Sequence, residues 1–111
     1  MTTQRDLDAV IVDGVRTPFM RSHKAYVDLN ACELGSMALT GLVAKTGIDP
    51  KLIEHVVMGT VIHDPLTPNV ARECVLAANL GERIPANTVS LACISSNVGG
   101  TQLANMIRLG Q

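Results

Sequence analysis

Three apolar runs rich in branched residues, separated by segments with helical spacing, constrain this chain most. They are Ala9–Val15 (AVIVDGV), Val56–Ile62 (VVMGTVI) and Thr88–Ala92 (TVSLA). Runs this short and this apolar read as strands covered on both faces, the pattern of a parallel sheet between helices. Between the first two, Asn30 can cap a helix that runs to about Thr46, with Leu34, Ala38, Leu42 and Val43 on one face. Gly47 is placed to end it in a left-handed turn. After the second run comes a turn, Asp64-Pro65-Leu66-Thr67-Pro68. Asn69 then caps a helix that turns Val70, Cys74, Ala77 and Ala78 inward and stops at Gly81. Pro85 breaks the chain ahead of the third run, and a last helix extends from about Cys93 or Ser95 to Leu109, with Gly110 past its end. The order is β-α-β-α-β-α. It predicts an α/β fold with three parallel strands, three helices and right-handed crossovers.

Composition narrows the function classes. The net charge is −1 with no run of like charges, so neither a nucleic-acid footprint nor a basic membrane-surface helix is expected. No apolar stretch is long enough to span a bilayer. Met1 to Asp6 leads directly into the first apolar run, which leaves no room for a signal or transit peptide and points to the cytoplasm. There are 111 residues, enough for one modest domain. With a single Phe, a single Tyr and no Trp, the core must be aliphatic. The three cysteines, Cys32, Cys74 and Cys93, form neither a paired set nor a Cys-x-x-Cys motif, so no disulfide framework and no zinc site is expected.

In a parallel sheet, sites form beyond the carboxyl ends of the strands. Asp13 to Arg16, Ile62 to Asp64 and Cys93 to Asn97 meet at that edge. Cys93 directly follows a strand and precedes a helix, where unpaired amides and the helix dipole favour a thiolate. It is the candidate nucleophile, although a cysteine in an apolar setting is also an ordinary small core residue. Cys74, on a helix's apolar face, and Cys32, in a first turn, read as structural. His63 and Asp64 leave the second strand at the same edge and could in principle complete a Cys-His-Asp set, or could simply be solvated loop residues. Gly99-Gly100 reads as close packing of a central helix, since no phosphate-binding glycine motif accompanies it.

Five blocks in register resemble the thiolase family: VIVDGVRTPF (Val10–Phe19), ELGSMAL (Glu33–Leu39), MGTVI (Met58–Ile62), NVARE (Asn69–Glu73) and PANTVSLACISSN (Pro85–Asn97). The last block, with NVARE, is most similar to 3-ketoacyl-CoA thiolases of the trifunctional-enzyme β-subunit type. The resemblance implies a thiolase-like fold in which residues 1–111 form the first part of the N-terminal domain, with strands in the order 3-2-1.

The activity it implies is thiolytic cleavage of a 3-ketoacyl-CoA in fatty-acid β-oxidation. Cys93 would be the acyl-accepting nucleophile and its backbone N–H half of the oxyanion hole. Coenzyme A would be a substrate, with no bound cofactor. The partners implied are an acyl-CoA and a second copy, as homodimer or homotetramer, with the third strand pairing at the interface, together with a hydratase/dehydrogenase subunit of β-oxidation. A mitochondrial location is open if the N-terminus is processed. The family's Gly-His-Pro and Cys-x-Gly-Gly segments, which carry the base and the acid/base cysteine, have no counterpart in these residues, so this chain by itself is expected to be inactive. Two alternatives stay open: a non-catalytic assembly piece of the same fold, and a related ketoacyl synthase-like condensing enzyme.

Overall fold

In the computed structural model, residues 8–111 are described. The reading of residues 1–7 as leading into a strand without a targeting segment lies outside them. Five main elements follow in order: α1 (Ala31–Thr46), β1 (Val56–Gly59), α2 (Val70–Ala77), β2 (Ala86–Val89) and α3 (Ser95–Leu109), with a single 3-10 turn at Pro50–Leu52.

Each helix end has a local cause. Asn30 and Glu33 form a reciprocal capping box at α1: the Asn30 side chain accepts from the Glu33 N–H at 2.9 Å, and Glu33 accepts from the Asn30 N–H at 2.7 Å. Gly47 closes α1 in the left-handed conformation, and Gly110 closes α3 likewise. α2 is capped by Asn69 as the sequence implies, but it ends at Ala77, short of Gly81. Asn79 takes a positive φ of 53° there, making the left-handed turn before Gly81 is reached.

β1 and β2 pair in parallel, Val56 opposite Ala86 through Gly59 opposite Val89. The ladder is lengthened at both ends by Val56 N–H donating to Pro85 O and Thr60 N–H donating to Val89 O, each at 3.0 Å. The core lies where α2 crosses this pair. Val75, Leu80 and Ile84 form its centre, with Leu39, Val43, Ile53, Val56, Ala78 and Ala86 packed around them. On α2 the buried residues are Val70, Ala71, Cys74 and Val75. Val70 and Cys74 are inward as expected and Ala78 packs half-buried against the core, whereas Ala77 is exposed and Ala71 and Val75 are buried beside them. The helix is shorter than its apolar pattern, and β2 sits against its first turn.

The expected third strand is absent among the described residues: the sheet has two strands. Ala9–Val15 has no regular secondary structure and lies outside the sheet, with Val10, Ile11 and Val12 exposed at 74%, 97% and 87%. An inner parallel strand draws hydrogen bonds from a neighbour on each side and apolar cover from both faces. Only β1 could flank this run among the described residues, and half a ladder does not offset the entropy of ordering it. The run lies instead along an apolar groove formed with Leu39, Leu42 and Val43 of α1, Val56 and Val57 of β1, and Leu103 of α3. Lys45 anchors its far end, donating to Asp13 Oδ1 at 2.7 Å and to Gly14 O at 3.0 Å. That ammonium, first, and then the Gly14 N–H hold the Asp13 carboxyl below its ordinary range.

Candidate active site

The junction from β2 into α3 places the candidate nucleophile. β2 ends at Val89 and α3 begins at Ser95, so Cys93 sits in the connecting turn, one residue ahead of the cap residue Ile94. Two tight bonds fold this turn: Ile94 N–H to Leu91 O and Ser95 N–H to Ala92 O, each at 3.2 Å. Ala92 takes a φ of +47°. A left-handed alanine costs about 1 kcal/mol or more, and strain of this kind gathers where a neighbouring side chain must be aimed. Ile94 supplies no side-chain cap bond to α3.

Below the turn, the end of β1 comes very close to the start of α3. A Cβ on Gly59 would lie 2.5 Å from the Ser96 nitrogen, so only glycine fits. Farther along, a Cβ on Gly99 would lie 2.9 Å from Val57 Cγ1. Gly99 therefore carries the close packing expected of the glycine pair, whereas Gly100 is exposed, with open space where its Cβ would be.

The three cysteines separate clearly by surroundings: Cys93 is exposed, Cys32 half-buried and Cys74 buried. Cys74 points its Sγ at the Cys32 carbonyl, 3.5 Å away. Burial, followed by the neighbouring Cys32, pushes the Cys74 thiol up to about 12, so it stays protonated at neutral pH. Among the described residues no group hydrogen-bonds the Cys93 side chain.

The His63–Asp64 alternative finds no support in the geometry. His63 is exposed in the loop after β1. Asp64 spends Oδ1 on the Leu66 N–H, 2.9 Å away, to close a local turn. Both line a small pocket with Ala31, Thr60 and Val70, and Cys93 does not border it. The described residues contain no cluster of His, Cys, Asp or Glu able to hold a metal ion. No helix among them is long and apolar enough to cross a membrane.

Two sets of residues were not legible as part of this site. Asn69 caps α2 through the Arg72 N–H at 3.3 Å, accepts from the Thr88 hydroxyl at 2.8 Å and donates to Ala86 O at 3.0 Å. It thus joins α2 to β2. Arg72 donates to Ile84 O at 3.0 Å and Glu82 O at 2.9 Å, fixing the loop that feeds β2. The second set is Ser95 with Thr60. Ser95 follows Cys93 by two residues where a helix is expected to start, which suggests a cap; its hydroxyl instead turns back into the turn.

Comparison with known proteins bears on this geometry directly. The family described as thiolase, N-terminal domain, matches residues 9–111. The human mitochondrial trifunctional enzyme subunit beta is 43% identical over 104 residues, covering 94% of this chain and 22% of that protein. A probable 3-ketoacyl-CoA thiolase of Caenorhabditis elegans is 46% identical over 101 residues, 91% of this chain and 22% of its own length. The 3-ketoacyl-CoA thiolase of Serratia proteamaculans is 43% identical over 105 residues, 90% of this chain and 24% of its own. Among solved structures, the acetyl-CoA acetyltransferase of Bacillus anthracis superposes with a TM-score of 0.73 at 27% identity, over 78% of this chain and 22% of that one. A thiolase from Ascaris suum, solved in complex with coenzyme A, shares the fold with a TM-score of 0.74 at 23% identity, over 79% of this chain and 23% of that one. The chain therefore spans less than a quarter of the length of these relatives.

Proposed function

Because this chain belongs to the thiolase family through its N-terminal domain, we propose that it supplies the nucleophile of an acetyl-CoA C-acyltransferase acting on 3-ketoacyl-CoA in fatty-acid β-oxidation. The observation that carries this reading is the setting of Cys93: the exposed thiol of the three, at the turn between β2 and α3 in a chain matched to the family over residues 9–111.

The chemistry follows from that position. The Cys93 thiolate attacks the keto carbon and forms a C–S bond. The carbon–carbon bond to the acetyl-CoA portion breaks, and its electron pair departs as an enolate that takes up a proton as acetyl-CoA. The thiol of free coenzyme A then attacks the acyl thioester, releasing a shortened acyl-CoA and restoring Cys93. The Cys93 N–H serves as one donor to the oxyanion that develops on attack. The base, the acid and the second oxyanion donor belong to family segments that have no counterpart in these residues, so residues 1–111 alone are inert.

Coenzyme A enters as substrate. The relatives' names favour a β-oxidation partner subunit, and the outer edge of β2 suits pairing with a second copy. Three unpaired thiols suit a reducing compartment, the cytoplasm or, as in the human relative, the mitochondrion.

The test is coenzyme A-dependent thiolysis of a 3-ketoacyl-CoA by the full natural chain. Turnover is expected in the wild type, with a fall of at least about a thousandfold in Cys93→Ser, as for loss of a covalent nucleophile. A Cys93→Ser variant that retains turnover overturns the assignment.

A further inference from the structure

We infer that Ser95 is a positioning residue for Cys93, holding the turn that aims the thiol; the inference rests on Cys93 being the nucleophile. Ser95 is 3% exposed, the one buried polar side chain among the described residues. Its hydroxyl makes three contacts, and each has a separate structural consequence. It accepts from the Leu91 N–H at 2.8 Å, donates to Ala92 O at 2.6 Å, and lies 3.2 Å from Thr60 O.

A hydroxyl has one proton and two lone pairs. The short contact to Ala92 O takes the proton, with Thr60 O sharing it at longer range. The Leu91 amide fills a lone pair. The residues held in this way bracket the site: Leu91 and Ala92 precede Cys93, and Thr60 directly follows β1. The last contact ties the turn to the neighbouring strand of the sheet. Ala92 is also the strained residue, at φ +47°. An alanine relaxes from that conformation unless its surroundings over-determine it. The 2.6 Å bond to its carbonyl is the shorter of two local restraints, the other being the Ser95 N–H at 3.2 Å.

No side chain caps α3 itself, so the order of this turn rests on bonds made ahead of the helix. Without the hydroxyl, the Leu91 N–H and the Ala92 and Thr60 carbonyls each lose a partner, and Ala92 is held less firmly in the left-handed region, which lets the thiol turn with it. A displacement of about 1 Å at a reacting atom commonly costs up to about a hundredfold in rate.

The experiment uses the full natural chain with a 3-ketoacyl-CoA and coenzyme A, comparing wild type, Ser95→Ala, Ser95→Thr and Cys93→Ser for kcat, KM and thermal midpoint. Ser95→Ala is expected to lower kcat by about ten- to a hundredfold with KM within twofold, because substrate binding does not use the turn. Ser95→Thr, which keeps the hydroxyl, is expected to return kcat to within about fivefold of wild type. A Ser95→Ala kcat within twofold of wild type overturns the inference, as does a folded Ser95→Thr as slow as Ser95→Ala. Should Ser95→Ala fail to fold, Ser95→Thr decides alone: active supports the inference, folded but slow overturns it. Cys93→Ser separates the two claims, since its retained turnover removes the nucleophile assignment whatever Ser95 does.

Discussion

Cys74 and Cys93 have the same side chain but opposite chemical prospects. Cys74 is fully enclosed and aimed at the Cys32 carbonyl, so its proton is held far above neutrality; Cys93 stands exposed in a turn. Brief alkylation with iodoacetamide near pH 7.5 is expected to modify Cys93 and spare Cys74, as read by peptide mass mapping; equal labelling of both would contradict the fold described. The buried thiol also sets an alkaline limit. Its proton is bound more tightly in the folded chain than in the unfolded one, where the ordinary value is 9.0. The stability it contributes is therefore whole below pH 9.0 and is lost as pH rises from there toward about 12. Chemical denaturation at pH 8 and pH 10.5 checks this: Cys74→Ala should flatten the decline between the two. Asp13 has the opposite sign. Its lowered carboxyl stabilises above the ordinary value of 3.8 and stops doing so as pH falls through its folded value.

Among the elements, the two asparagine caps differ in how much hangs on them. Asn30 serves α1 alone, through the box with Glu33. Asn69 serves α2 and also bonds Thr88 and Ala86 on β2. Asn30→Ala is expected to cost about 1 kcal/mol. Asn69→Ala should cost about 2–3 kcal/mol, because the cap and two inter-element bonds go together. Urea midpoints measure the pair, and equal losses would show that the α2–β2 bonds contribute nothing.

The caps were legible in the sequence because capping is a local property: Asn30, Gly47, Asn69 and Gly110 all act where they were read. The place of Cys93 between a strand and a helix was legible too, since both neighbours are read from local pattern. Ser95, Thr60 and the second role of Asn69 were not. Thr60 lies 35 residues from Ser95, and the β2 partners of Asn69 lie 17 and 19 residues from it, and no periodicity encodes such pairings. The first apolar run was read correctly as apolar and wrongly as a member of this sheet. A strand's existence depends on its neighbours, which composition does not contain.

For the molecule as a whole, the apolar surface left open is the dominant fact. Val10, Ile11, Val12 and Phe19 are all more than 70% exposed. The radius of gyration is 15.3 Å, above the roughly 13 Å of a closely folded chain of this length. Residues 1–111 prepared alone are accordingly expected to bind a hydrophobic dye such as ANS strongly and to self-associate with rising concentration. A monodisperse monomer without dye binding would mean that the groove is closed in solution.

The Lys45–Asp13 clamp carries one more consequence, in the time domain. The chain of Ala9–Val15 makes no backbone-to-backbone bond among the described residues; it is fastened by a side-chain ammonium at one end. Its amides should therefore trade hydrogen for deuterium at nearly the speed of an open chain. Those of Val56 and Thr60, which donate across to Pro85 O and Val89 O, wait for a larger opening of the molecule. The unit from β1 through α2 to β2, which holds the core, is thus expected to exchange most slowly among these residues, and the first apolar run fastest.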